Sequence, residues 1–158
     1  MAEPRAPEGE EGDGIVEIDR NGLEILDRAE CLRLLGSARL GRVAITYGAL
    51  PTILPINFRL VDERILFRTD VGTKLDAATS NAVVAFEADD MDPLWHTGWS
   101  VVVTGLAREV TDPTVRAGLE DADIPYWAPM AAGNRIVEIS TEMISGRRIV
   151  PSVRRLQP

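Results

Sequence analysis

Six runs of β-prone residues constrain the fold of this chain more than any other feature. They read RVAITYG, TILPINFRLVD, RILFRTD, AVVAFEAD, WSVVVTGLAREVTD and NRIVEISTEMISGRRIV, with turn residues between most of them. One brief helical segment follows the third run, so the chain lacks the repeating strand–helix units that build a parallel sheet. The pattern predicts a mainly β fold: a six-stranded antiparallel barrel with short peripheral helices.

Two prolines and a glycine mark special positions within these runs. Pro51 and Pro55 have no amide hydrogen for a sheet ladder, so the second run must lie at a sheet edge, contain a bulge or be irregular there. Gly105 interrupts the longest run and predicts a bulge or a bend.

Helices are predicted at two further places from their N-terminal signals. Asp27 and Glu30 have the spacing of a capping box and predict a helix over 28–35. Asp112 followed by Pro113 is typical of a helix that starts at the proline.

Length and charge bound the domain organisation and the partners. The 158 residues suit a single domain, and the first fourteen, MAEPRAPEGEEGDG, hold five acids and one arginine. We therefore expect a disordered acidic tail over 1–14 and one domain over 15–158. The net charge of −8 disfavours nucleic acid and anionic membrane surfaces as partners. Since no apolar run is long enough for a membrane span and no secretory signal is evident, a cytoplasmic protein is expected.

Cysteine and histidine each occur once, which argues against a metal site within one chain. Cys31 lies in the apolar segment CLRLL and is interpreted as a core residue. His96 lies in a polar loop and is interpreted as a surface residue rather than a haem ligand or a proton donor.

The segment FRTDVGTKLDAATS, residues 67–80, combines a strand end, a glycine turn and a short helix predicted over 74–80. Thr73 is the predicted N-cap, Asp76 has the capping-box position, and Lys74 opens the helix. A cation at this positive end is unfavourable unless an anion binds to the backbone N–H groups, the Thr73 hydroxyl and the Lys74 ammonium. Arg68 would add a further donor. The alternative is that Lys74 is solvated, Asp76 balances its charge and Arg68 lies on an ordinary polar face.

Three stretches resemble the pyridoxamine 5′-phosphate oxidase-like, FMN-binding split β-barrel family. They are LPTILPINFRLVDERILFRTDVGTKLDAATSN, AVVAFEADDMDP and TGWSVVVTGLAREVTD. In that family a threonine or serine and a lysine after the third strand hold the phosphate of the flavin. The match falls on Thr69, Thr73 and Lys74.

The resemblance also implies a homodimer with two flavin sites in the subunit interface. The flavin ring would lie along PINF, near Ile56, Asn57 and Phe58, and the partner subunit would contribute Trp99 and Ser100. Asn57 offers both a donor and an acceptor, as the uracil-like edge of a flavin requires. The alternatives are that Asn57 is an ordinary exposed or locally bonded strand residue and that Trp99 is a core residue.

The resemblance favours an oxidoreductase in which FMN, or a deazaflavin in its place, passes a hydride to or from a small organic substrate. No catalytic residue is assigned, and no counterpart is found of the basic residues that hold the substrate phosphate in true pyridoxamine-phosphate oxidases. Vitamin B6 synthesis is therefore not supported. Two alternatives stay open: a non-catalytic module that binds or sequesters a flavin or a tetrapyrrole, and a degenerate barrel that serves protein interaction.

Overall fold

The computed structural model describes residues 16–119, 122–124 and 135–149. Within these ranges the strands are β1 (Glu24–Leu26), β2 (Leu40–Tyr47), β3 (Leu50–Asn57), β4 (Arg59–Val61), β5 (Arg64–Thr69), β6 (Ala82–Asp92), β7 (Thr97–Glu109), β8 (Arg135–Ile139) and β9 (Met143–Ile149). The helices are α1 (Arg28–Ser37), α2 (Lys74–Ala78) and α3 (Pro113–Leu119). The tail predicted over 1–14 lies outside the described residues.

Every strand pair in the described ranges is antiparallel, and the sheet curls in the manner of a split β-barrel, which confirms the predicted fold. Its order is β3-β2-β6-β7-β8-β5-β4, with β9 also paired to β7 and β1 paired to β9. The strand number exceeds six because two predicted runs each divide, one at Phe58 and the other around Thr141, and because β1 was not predicted. Phe58 separates β3 from β4, and its ring lies in the core, where it meets that of Phe86 edge-on with centroids 4.8 Å apart.

The inward side chains form one main core and the outer side of β5 and β8 carries a second. The main core includes Val43, Ile45, Ile56, Phe58, Phe67, Phe86, Val101 and Val103. The smaller one packs α3 and the residues after it against the sheet through Leu66, Val110, Leu119, Ile124 and Ile136. Each side of β5 thus faces a different apolar cluster, which fixes the direction of its side chains.

The two prolines of β3 are accommodated because this strand is at one end of the sheet order. Its register with β2 is unbroken, with Pro51 opposite Thr46 and Pro55 opposite Arg42. Phe58 N donates to the Arg39 carbonyl, so Phe58 and Arg39 are a hydrogen-bonded pair. Because hydrogen-bonded and non-hydrogen-bonded pairs alternate along the ladder, Pro55 and Pro51 both fall in non-hydrogen-bonded pairs. The nitrogens of both prolines then point away from β2, so no ladder hydrogen bond is lost.

Gly105 lies where β7 changes partner, and its pairing with β6 contains no bulge. Its pairing with β6 is continuous, whereas the other edge of β7 pairs with β9 up to Thr104 and with β8 from Ala107. Ser140 fills the gap by accepting from Leu106 N and donating its own N–H to the Leu106 carbonyl.

Both predicted helix starts are confirmed. Asp27 accepts from Glu30 N at 2.8 Å, and Asp112 accepts from the N–H of Thr114 at 2.8 Å. Helix α1 runs two residues beyond its predicted end. Cys31 is fully buried, which raises the pKa of its thiol and confirms that it is a core residue.

None of the helices in the described ranges has the length and apolarity to cross a membrane.

Candidate functional site

The turn between β5 and α2 is built by hydroxyl and carboxylate groups of its own residues. Thr73 is the N-cap and accepts from Asp76 N at 3.0 Å, as predicted. Its hydroxyl also donates to the Asp70 carbonyl and lies 3.1 Å from the hydroxyl of Thr69, which is buried. Gly72 has φ +80°, a conformation that favours glycine. The Thr73 hydroxyl is thus used within the turn, which it shapes.

Lys74, the only lysine of the chain, is exposed at the start of α2. Its ammonium lies 5.6 Å from the ring centroid of Tyr47, the last residue of β2. In the ranges that the structure describes, no carboxylate forms an ion pair with it, and Asp76 does not balance it as the alternative interpretation required. The first N–H groups of a helix lack intrahelical acceptors, and here only that of Asp76 is taken by the cap. The N–H groups of Lys74 and Leu75 are therefore available as donors for an anion.

Asp76 is buried and forms a partly buried ion pair with Arg135 rather than one with Lys74. Its side chain accepts from Gly72 N at 2.8 Å and from Arg135 Nη1 at 2.9 Å, and only 8% of the residue is exposed. Arg135 is the first residue of β8, directly opposite Thr69, and also lies 3.4 Å from Glu109. Sequence reasoning missed Arg135 and Tyr47 because both contacts join distant segments. The one available signal was that Asp76 is an acid without a cation at helical spacing.

Arg68 lies on the opposite side of β5 from Thr69, since side chains alternate along a strand. Its Nε donates to the Ile124 carbonyl at 2.8 Å, beside the smaller apolar cluster. The structure therefore does not bring Arg68 together with Thr73 and Lys74.

The PINF segment presents one partly exposed polar side chain. Ile56 and Phe58 are core residues, whereas Asn57 is only partly buried. Asn57 and Tyr47 lie at opposite ends of the β2–β3 hairpin. They are seven residues apart along the ladder, roughly 23 Å at 3.3 Å per residue. An elongated ligand anchored at Lys74 would therefore run along β3 to reach Asn57.

Trp99 and Ser100 lie at the far end of the β6–β7 hairpin from α2. Trp99 is opposite Asp90, eight residues along β6 from Ala82, which is roughly 27 Å of strand. Trp99 packs against the edge of the main core, and both residues line a cleft of about 200 Å³ with Leu23 and Ile149. Within one chain these residues do not meet the Lys74 turn, so their predicted role in a partner's site stays a prediction.

His96 is exposed in the turn that joins β6 to β7, with φ +50°. This placement confirms that it is a surface residue.

The pKa of Glu30 is strongly lowered by an ion-pair network between α1 and β9. Two hydrogen bonds from Arg33, helped by Arg148, lower the pKa of Glu30 from 4.5 to about 2. Burial opposes the charge of Arg148, but its bonds to Glu30 and Glu24 raise its pKa. This network joins a helix to the sheet and is separate from the Lys74 turn.

The arrangement as a whole suits an anion at one end of a long, mostly apolar ligand. At the turn the Lys74 ammonium, which has no carboxylate partner among the described residues, lies near the Tyr47 ring, and the N–H groups of Lys74 and Leu75 have no intrahelical acceptor. The β3 edge leads away from this point past Ile53, whose side chain is exposed.

Comparison with known proteins gives one family and several relatives. The family model described as pyridoxamine 5′-phosphate oxidase matches residues 27–148. The Mycobacterium tuberculosis protein Rv0080, itself uncharacterized, is 46% identical over 134 residues, 82% of this chain and 87% of that protein. The structure of the FAD-binding protein from Mycobacterium smegmatis has a TM-score of 0.70 and 40% identity, covering 80% of this chain and 99% of its own. The conserved protein of unknown function DIP1874 from Corynebacterium diphtheriae has a TM-score of 0.65 and 30% identity, covering 81% and 98%.

Proposed function

Because the chain belongs to the pyridoxamine 5′-phosphate oxidase family, we propose that it binds a flavin-type cofactor through the Lys74 turn and acts as an oxidoreductase on a small organic substrate. The M. smegmatis relative at 40% identity is described as binding FAD, which supports a flavin as the ligand class. FMN is the proposed form and a deazaflavin is the alternative, since each carries a phosphate that this turn could hold.

One observation carries the proposal: the only lysine of the chain occupies the positive end of α2 without a carboxylate partner among the described residues. A cation there costs stability unless an anion compensates it. A phosphate accepts several hydrogen bonds at once, and charge-assisted bonds of this kind are roughly twice as strong as neutral ones. The donor set of Lys74 and the two adjacent N–H groups fits such a group.

The protein's own part would be to hold and orient the cofactor. Lys74 and the turn would anchor the phosphate, and the β3 edge would receive the rest of the molecule. The cofactor, when bound, supplies the hydride chemistry. This division of labour needs no acid–base pair from the chain.

A dimer is the second part of the proposal, and the outer face of the sheet supports it. One ladder row crosses five strands through Ile53, Ala44, Ala85, Thr104 and Met143. All five side chains point outward, and the end residues are 67% and 68% exposed.

Further apolar side chains widen this row into a surface. Val83, Val102 and Leu106 flank it and are exposed. A shallow recess of about 170 Å³ opens beside Phe86 in the same face. An apolar face of this extent needs cover, and a second copy of the chain would provide it and bring Trp99 and Ser100 to its partner's cofactor.

The test is a titration of the purified protein with FMN, FAD, a deazaflavin and riboflavin, followed by absorbance and fluorescence. We expect micromolar or tighter binding of a phosphate-bearing flavin and weaker binding of riboflavin. Lys74→Ala should weaken FMN binding roughly ten- to a hundredfold and leave riboflavin binding unchanged. Arg20→Ala, which removes an exposed cation from the turn before β1, is the matched control.

The outcomes separate the candidate functions. Turnover of a small acceptor or donor by the loaded protein supports the oxidoreductase. Tight binding without turnover points to the storage or sensing alternative. If no flavin bound at micromolar concentration, the proposal would be wrong.

A further inference from the structure

Asp76 poses an electrostatic problem for any anion at the Lys74 turn. Its carboxylate is two residues from Lys74 and accepts from Gly72 N, so it is part of the same turn. An uncompensated buried carboxylate is costly and would repel a phosphate bound nearby. A turn that binds anions therefore needs this charge to be neutralised and held aside.

Arg135 is placed to do both. Its Nη1 donates to Asp76 Oδ1 at 2.9 Å, so it offsets the charge of the carboxylate and holds it in place. The strand register anchors Arg135 across from Thr69, whose hydroxyl contacts Thr73. Glu109, 3.4 Å away, holds the guanidinium from a third strand. Three strands and the turn are thus joined in one network.

We propose that Arg135 is a positioning residue for the cofactor phosphate, acting through Asp76 rather than by direct contact. This inference rests on the proposed function of the turn. The Arg135 guanidinium offsets the charge of Asp76 and keeps its second oxygen on Gly72 N, which fixes the direction of the N–H groups that follow. Without Arg135 the negative charge of Asp76 is no longer offset and repels the phosphate. The hydrogen bond from Gly72 N to Asp76 is also weakened.

The experiment compares the affinities for FMN and for riboflavin, which differ by the phosphate alone. Arg135→Gln should lower the preference for FMN over riboflavin roughly tenfold or more and leave the riboflavin dissociation constant unchanged. Arg135→Lys should restore part of the preference. Asp76→Asn in the Arg135→Gln background should also restore part of it, because the unpaired charge is then absent.

Arg64→Gln is the matched control for loss of fold stability. Arg64 pairs at 2.7 Å with the buried carboxylate of Glu138, but it lies at the other end of β5 from Thr69. The Arg64→Gln substitution should lower the melting temperature without changing the ratio of the FMN and riboflavin affinities. If Arg135→Gln does not fold, Arg135→Lys and Glu109→Gln carry the test. Glu109→Gln should keep or raise the FMN preference, because Arg135 then forms an ion pair only with Asp76 and a negative charge is removed.

Each result bears on a different claim. A wild-type protein that binds FMN and riboflavin equally overturns the phosphate site and this inference with it. A wild-type protein that prefers FMN, with the same preference in Arg135→Gln, overturns only the role of Arg135. A proportional loss of both affinities indicates a merely structural residue and also overturns it.

Discussion

Single charged residues in this protein act mainly by joining segments that are far apart in the sequence. Glu30 binds Arg33 within α1 and Arg148 on β9, and Arg148 in turn binds Glu24 on β1. Asp76 and Arg135 do the same for the turn and β8. The pairs of Arg148 with Glu30 and Glu24, and of Arg135 with Asp76, are partly buried, so they are screened less than exposed pairs and fix the relative positions of their elements.

Glu30 should make stability depend on acid pH. Its pKa is about 2 in the folded protein against 4.5 as the ordinary value, so the contribution is full above pH 4.5 and is lost as pH falls towards 2. Glu30→Gln should cost about 1 kcal/mol of unfolding free energy at pH 7 and progressively less below pH 4.5. Urea unfolding at several pH values measures this.

Glu17→Gln serves as the control because Glu17 is exposed. A difference in unfolding free energy between wild type and Glu30→Gln that stays constant from pH 7 to pH 2.5 would contradict the ion-pair network.

Among the elements, β7 organises the sheet because it pairs with three other strands. It pairs with β6 along one edge and with β9 and then β8 along the other. The change of partner is possible because Gly105 has no side chain. A Cβ on Gly105 would overlap the Ser140 carbonyl oxygen and lie 3.0 Å from Ile139 Cγ2.

Gly105→Ala should therefore destabilise the protein by about 3 kcal/mol or more, since the atom it meets belongs to the backbone and cannot move aside alone. Gly36→Ala is the control. Gly36 is exposed in α1 with nothing near its Cβ position, so alanine there should stabilise by about 0.5 to 1 kcal/mol. Thermal unfolding of both variants measures these changes in stability. A Gly105→Ala protein as stable as wild type would show that β8 and β9 do not meet β7 at this point.

On the scale of the whole molecule, one outer sheet face carries a band of exposed apolar side chains while the overall charge is −8. A charge of this size keeps monomers apart unless apolar burial outweighs it. Specific interfaces bury about 800 Å² on each partner, which an apolar row crossing five strands and its flanking residues could supply.

Ile53→Glu and Met143→Glu place a carboxylate at either end of this row and test the dimer. In a two-fold interface at least one of them should face apolar surface or its own copy, so at least one variant should be monomeric at micromolar concentration. Sedimentation analysis measures the mass. Val115→Glu, on an exposed position of α3, should leave the mass unchanged. A wild-type monomer, or a dimer unaffected by both variants, would contradict this interface.

Local patterns in the sequence were sufficient for the fold class, the helix starts and the Thr73 cap. Each of these depends on neighbours within a few residues: strand alternation, capping spacing, and prolines that exclude a central strand. Lys74 was identifiable for the same reason, because a cation at a helix start is a local anomaly. The resemblance in three stretches then indicated the family, which the family model and the relatives confirm.

The tertiary structure decided which side chains share a site. Arg68 and Thr69 are adjacent in sequence, yet strand alternation sends them to opposite sides of β5. Asp76 and Arg135 are 59 positions apart, yet strand register brings them into contact. Register is set by the packing of the whole sheet, since a slip of one residue would exchange its two faces. The sequence alone therefore determined the turn and its lysine. Only the folded sheet determined that Asp76 pairs with Arg135, so that Lys74 has no ion-paired acid among the described residues.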